Sequence, residues 1–336
     1  MGNFSVDRML LKAKSHLRRG EKDEARGLYL SVLEIFPGNK KAAKAIEQME
    51  KSKHKVVKTS EDEKLGHLVL LYNQGQFSLV LEKGEALREE FSKSFILWNI
   101  LGAANLGLKK LEEAEVCFKR SIQLKSNFFE SQNSLGAVLQ SQGKLQEAVL
   151  VYKKAISLKP DYAEAYYNLG NTFQAQGKSK EAIAAYENAI SIKPQYAEAH
   201  NAIGMIDYSK SNFLQAEIKL NKAITLRPDC IEPYIYLGNV FKDQGKLKEA
   251  IALYNKALSL DPKSSDVHNN LGLAFQDLGN LSDAILSYES AIRLDPENTK
   301  AHLNLSQIKK YLISVFIFCI RIWNLYQKFV VFSIRI

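Results

Sequence analysis

The chain is short of the residues that build covalent frameworks or reaction centres. Its 336 residues hold only 3 cysteines. Cys117, Cys230 and Cys319 stand far apart and form no CxxC pair. A disulfide framework or a zinc ribbon needs close, paired cysteines, so both are excluded and a reducing, cytoplasmic compartment is expected. The sequence has no P-loop, no dinucleotide-binding glycine fingerprint and no GxSxG elbow, which removes the common nucleotide and acyl-transfer sites. The N-terminal MGNFSVDRML has no apolar core of a secretory leader. It also misses the myristoylation pattern, because Val6 stands where Ser or Thr is required. No catalytic residue, cofactor or metal is expected, and the chain reads as a non-enzyme.

Acidic residues are absent from 311–336 and outnumbered two to one by basic ones over residues 1–60. The net charge of +9 resolves into +7 over residues 1–60, −1 over 61–310 and +3 over 311–336, counted along the sequence. A nucleic-acid binder carries its positive charge along the binding surface. Here the long middle is neutral, so nucleic acid is not an expected partner and the basic ends read as solvated.

What the chain does have is a period of 34 residues. From Glu61 the register holds without insertion, with repeats beginning at 61, 95, 129, 163, 197, 231, 265 and, in part, 299. The repeat at 163 shows the pattern: Tyr166, Leu169, Gly170, Phe173, Gly177, Ala182, Tyr186, Ala189 and Pro194. Apolar residues recur at helical spacing on both sides of the central glycine, and the proline closes the second half, so each repeat reads as two helices. Gly136, Gly170, Gly204, Gly238 and Gly272 and the alanine columns let the two helices approach closely. Tyr152, Tyr186, Tyr254 and Tyr288 fill the volume between repeats. One repeat cannot bury its own apolar face, so stability must come from stacking. Asp161 with Glu164 reads as a capping box, and the recurring acid (Glu130, Glu164, Glu198, Glu232, Asp266) as first-turn complement to the helix dipole. His200, His268 and His302 occupy the same fourth position of separate repeats, which reads as a packing site rather than a metal site.

Residues 1–52 contain a degenerate copy of the pattern, with Ala13, Gly20, Ala25, Tyr29 and Pro37 in register. Residues 53–60, inside KSKHKVVKTSEDEK, lack hydrophobic periodicity and read as a polar linker. Two repeats depart from the pattern. The one at 61 has Val80 and Gly84 in the small and aromatic columns. The one at 197 has Asp207, Ser211 and Leu220 in place of an aromatic, the turn glycine and the late aromatic.

These columns resemble the tetratricopeptide repeat, closely over 61–310 and loosely over 6–39. The wording AEAYYNLGN and KEAIAAYENAISIKP is similar to the repeat superhelix of O-linked N-acetylglucosamine transferases. The resemblance implies an all-α solenoid wound as a right-handed superhelix, with first helices lining a concave groove. Carried over, the groove positions are Asn133, Asn168, Asn171, Gln174, Asn201, Asn239, Asn269, Asn270, Gln276 and Asn304. An amide donates and accepts at once, which suits clamping the main chain of an extended peptide. Asn168, Asn270 and Asn304 match the asparagine ladder of the transferases, and Ser134, Ala202 and Tyr236 interrupt it. Lys242 is the one cation near that surface between 129 and 298, too few for a carboxylate clamp. The expected function is a non-catalytic interaction scaffold for a protein or extended peptide. The alternatives are the substrate-recognition part of a truncated transferase and a membrane-tethered adaptor.

After Lys310 the repeat pattern stops. YLISVFIFCIRIWNLYQKFVVFSIRI has no Ala, Gly, Pro, Asp or Glu, and its residue types are those of AT-rich sequence read through an intron or frameshift. The tail 311–336 therefore reads as aberrant, on a truncated longer protein. The uncharged run before Arg321 is about half a spanning helix, so a membrane is not the expected partner. The three departures at 197–230 make that repeat the softest joint of the array. Hydrogen exchange should be faster there than in the repeats at 163 and 231, and equal protection would refute the assignment.

Overall fold

The computed structural model describes residues 2–334, with side-chain detail for 6–49 and 61–324. Every regular element among the described residues is an α-helix. The first are α1 (Gly2–Arg18), α2 (Lys22–Ile35), α3 (Lys40–Asn73), α4 (Phe77–Ala86), α5 (Phe95–Gly107), α6 (Leu111–Leu124) and α7 (Phe129–Ser141). Then follow α8 (Leu145–Leu158), α9 (Ala163–Ala175), α10 (Ser179–Ile192), α11 (Ala197–Ser209) and α12 (Phe213–Leu226). The last are α13 (Glu232–Asp243), α14 (Leu247–Leu260), α15 (Ser265–Asp277), α16 (Leu281–Leu294) and α17 (Thr299–Ile334). They form two compact units, Met1–Val138 and Leu139–Ile336, each a solenoid of helix–turn–helix repeats. The segment 53–60 is not a break: α3 runs through it as one helix. It contains neither glycine nor proline, so nothing in it stops a helix.

The second helix of each repeat shows why these sequences fold as they do. In α10, Ala182, Ala185, Tyr186 and Ala189 are buried at i, i+3, i+4 and i+7, one apolar stripe at helical period. The stripe meets a first helix whose glycine has no room to grow. A Cβ on Gly170 would lie 2.5 Å from Tyr186 Cε1, and one on Gly238 or Gly272 would lie 2.6 Å from the ring of Tyr254 or Tyr288. Overpacking of this kind costs about 1–3 kcal/mol. The two irregular repeats solve the same problem with aliphatic side chains. Leu220 is fully buried against Gly204. Gly84 has no side chain, and Leu101 leans into the space, its Cδ2 only 2.5 Å from where a Cβ would be.

The capping box does not form. The N-cap of α9 is Tyr162, without a side-chain cap bond. Asp161 thus lies one residue outside the helix, and Glu164 instead accepts from the Tyr162 hydroxyl at 3.4 Å.

The turns between paired helices need a left-handed residue. Gly177 supplies it at φ +74°, with nothing within 4 Å of a hypothetical Cβ. The corresponding residue at 211 is a serine held at φ +59°. A side chain in that region costs about 1–2 kcal/mol, partly offset by the lower unfolded-state entropy of a non-glycine residue. Ser211→Gly should therefore raise stability by about 0.5–1 kcal/mol and Gly177→Ser should lower it by a similar amount. Urea unfolding monitored by circular dichroism measures both.

Candidate functional site

In the second unit, the buried tyrosines do more than fill space. The rings of Tyr186, Tyr254 and Tyr288 lie on the glycine of the first helix, and each hydroxyl reaches an amide of that same helix. Tyr186 donates to Asn171 Oδ1 at 2.7 Å and is placed to donate to Gln174 Oε1 at 2.9 Å. Tyr254 donates to Asn239 Oδ1 at 2.6 Å and Tyr288 to Gln276 Oε1 at 2.9 Å. Burial holds all three hydroxyls above the ordinary tyrosine range, so they remain donors at neutral pH. Four of the ten expected groove residues thus satisfy buried hydroxyls. An unsatisfied hydroxyl there would cost about 1–3 kcal/mol, which is reason enough for those amides.

A second set of amides links one repeat to the next. Asn304 Nδ2 donates to Asn269 Oδ1 at 2.9 Å, and Asn270 Nδ2 to Asn239 Oδ1 at 3.4 Å. Asn269 is buried. Asn168 is half-buried, and its carbonyl accepts from Thr172 Oγ1 at 2.8 Å. Asn133 is buried in the first unit.

Asn171, Gln174 and Asn201 come together on one cavity of about 470 Å³ between α9, α11 and the approach to α13. Tyr167 and Met205 form its apolar wall, and Glu198, Arg227, Cys230 and Glu232 its polar rim. Tyr167 packs on Tyr196 as a tilted ring pair at 5.0 Å. Arg227 is a cation the sequence reading missed on this surface. It lies just past the C-terminus of α12 and pairs with Glu198 on α11. Spacing within a single repeat gives no hint of it, because it enters the groove from a second helix. Lys242, the expected groove cation, pairs with Asp243 at 2.7 Å. Cys230 donates to Glu232 Oε2 at 3.0 Å, and burial together with that carboxylate pushes its thiol up to about 11. It is held as a thiol, not a nucleophile.

Asn201 is the exception among the ten expected groove amides; Gln142, Gln176 and Gln244, each directly before a turn glycine and outside the cavity, also leave a buried Oε1 without a partner. Asn201 Nδ2 meets Met205 Sδ at 3.7 Å, and its buried Oδ1 has no partner. The register explains this. Asn269 occupies the same position of the repeat at 265 and is satisfied by Asn304, the fifth-offset residue of the following repeat. For Asn201 that following residue is Tyr236, which turns away to pack edge-on against Tyr208 at 6.2 Å.

The fourth-position residues behave as one packing site. His200, His268 and His302 each donate from Nε2 to a proline carbonyl six residues earlier, at 3.2, 3.2 and 3.0 Å. Tyr234 does the same to Pro228 at 3.0 Å.

Family models for the tetratricopeptide repeat match residues 9–39, 96–128, 139–177, 163–196, 238–279 and 265–298, together more than half of the chain. The geometry is that of an all-α repeat solenoid, and the chain belongs to the tetratricopeptide-repeat family. Solved structures of the same fold include a chain of the APC/C hetero-tetramer Cut9–Hcn1, at TM-score 0.62 and 18% identity over 92% of this chain. This chain spans 57% of that one's length. PilF of Pseudomonas aeruginosa matches at TM-score 0.57 and 15% identity, over 65% of this chain and 97% of its own. The C-terminal part of a repeat protein from Cytophaga hutchinsonii matches at 0.56 and 17%, over 72% and 99%. No curated protein matches the chain in sequence.

Burial holds the pKa of His200 below its ordinary value, with the Pro194 carbonyl opposing. The unfolded chain therefore takes up a proton that folded His200 resists, so its contribution to stability is full above about pH 6.5 and is lost as the pH falls below that value. His200→Tyr should keep the bond to Pro194, as Tyr234 does to Pro228. It should also flatten the decline in stability between pH 7 and 5, measured by denaturant unfolding at each pH.

Proposed function

We propose that the chain is a non-catalytic scaffold that holds an extended polypeptide segment in the inner cavity of its second unit, by the segment's main chain. The observation that carries this reading is the buried, unpartnered Oδ1 of Asn201. A buried amide oxygen without a donor is costly, and a peptide N–H is the complementary group. Rotating the amide would put oxygen against the Met205 sulfur and leave the NH2 unmatched, so a main-chain peptide group satisfies the site in either orientation. Tyr167 and Met205 offer an apolar contact for a side chain of the bound segment, and the Glu198–Arg227 pair fixes the rim. A clamp on main-chain groups implies weak sequence preference, which suits the neutral charge of the repeats. Recognition of a protein substrate for an attached transferase would use the same cavity in the same way.

The test is a peptide selected from a random display library against the full chain, with affinity read by fluorescence anisotropy. Asn201→Ala should weaken binding about 3- to 10-fold, the worth of one hydrogen bond. Tyr236→Asn should weaken it similarly, by supplying Asn201 with the internal partner that Asn304 gives Asn269. Gln276→Ala, which removes an amide outside the cavity, should leave affinity unchanged. Equal affinity in all three variants would refute the assignment.

A further inference from the structure

Helix α17 begins as part of the solenoid and leaves it. Ala301, Leu305 and Ile308 are buried against the preceding repeat. From Lys309 to Asn324 every residue is exposed. Phe316, Phe318 and Trp323 are 67%, 63% and 61% exposed; Leu150 and Leu214 are as exposed singly, but here the exposed apolar side chains form one run from Tyr311 to Trp323. No acidic residue follows Glu297.

The polar residues of this segment are ordered. At 3.6 residues per turn, Lys310, Ser314, Arg321 and Asn324 fall within a sector of about 80°, with Ile317 the one apolar residue among them. Lys328 continues the same spacing in the sequence. The rest of the circumference, about 280°, is almost wholly apolar, Lys309 at the first exposed turn being the exception. A protein groove covers a single stripe of a helix and would leave most of this surface in water. Lipid covers all of it. The stretch Thr299–Asn324 is long and apolar enough to cross a bilayer by composition, but its first third is packed on the solenoid, and α17 runs on to Ile334, so Arg321 stands in the middle of what remains of the helix. A spanning arrangement would hold that guanidinium in hydrocarbon. Lying in the plane of the membrane instead places Lys310 and Arg321 together at the headgroups.

We propose that the exposed part of α17 is an in-plane membrane helix, apolar face sunk in the acyl region and basic stripe against anionic lipid phosphates. It would attach the scaffold to a lipid surface through a feature separate from the inner cavity, and it stands or falls independently of the peptide reading.

The experiment is flotation of the full chain with vesicles of phosphatidylcholine, alone or with added phosphatidylserine. The chain should float with the anionic vesicles and much less with the neutral ones. Reversing both charges (Lys310→Glu with Arg321→Glu) should reduce flotation by roughly tenfold or more. Phe316→Asp with Phe318→Asp should abolish it, while circular dichroism and peptide affinity stay unchanged. Cys319 lies opposite the stripe and is exposed. In a Cys230→Ser chain, an environment-sensitive dye on Cys319 should shift to the blue with anionic vesicles. The proposal is overturned if the chain floats with neither composition, if charge reversal changes nothing, or if vesicle-bound chain resists alkaline carbonate as a spanning helix does. Self-association that the phenylalanine substitutions abolish, without lipid binding, would equally overturn it and assign the face to a second copy.

Discussion

The contact on which the second unit depends is a tyrosine ring laid on a glycine. Gly170, Gly238 and Gly272 leave no space for a methyl group, and Tyr186, Tyr254 and Tyr288 take all of it. The ring supplies the apolar burial that joins two helices, worth about 1.5–3 kcal/mol for a side chain of this size. The hydroxyl then has to be satisfied where it is buried, and the acceptors it meets are amides of the same first helix. Packing therefore dictates the chemistry of the groove. The amides at Asn171, Asn239 and Gln276 exist first to accept a buried hydroxyl, and their presence is no sign of a ligand.

That constraint gives meaning to the place where it lapses. In the repeat at 197 the late aromatic is Leu220, fully buried and without a hydroxyl, so no inner acceptor is demanded of it. Met205 and Tyr208 stand where the acceptors are elsewhere. One repeat on, Tyr236 replaces the asparagine that would have donated to Asn201. The two substitutions are independent in sequence but meet in space, leaving the Asn201 amide oxygen in the cavity without a hydrogen-bond donor. The same repeat holds Ser211 in a left-handed turn. A solenoid tolerates this concentration of irregularity because each repeat answers only to its neighbours.

The fold was largely legible because its signals are steric and periodic. Gly170, Ala182, Tyr186 and Pro194 recur at fixed spacing, and each does in space what its column implies. The histidines at the fourth position were also readable, since Tyr234 shows that the position takes any ring able to donate to a proline carbonyl. The site was legible only in part. Spacing marked the amides as one recurring set, yet it could not say that Tyr186 had already claimed Asn171, or that Asn304 had claimed Asn269. Those are contacts between helices or between repeats, and a single-repeat pattern is blind to them. Arg227 was missed for the same reason, entering the cavity from the end of a second helix. The break read at 53–60 failed for a different one: charge density without glycine or proline is compatible with a solvated helix, and α3 continues through it.

The end of the chain follows the same logic of unmet surfaces. Throughout the solenoid, an apolar stripe on one helix is covered by the next, so no face stays apolar unless another repeat follows. Helix α17 keeps this rule up to Ile308 and then abandons it: from Lys309 to Asn324 its residues are exposed among the described residues. Were the exposed segment merely a repeat lacking its successor, its apolar residues would form one stripe at helical period, like that of α10. They instead wrap most of the circumference and leave a narrow line of basic and polar residues. That pattern is written for a medium that surrounds a helix and presents charge along one edge, which is the description of a bilayer interface.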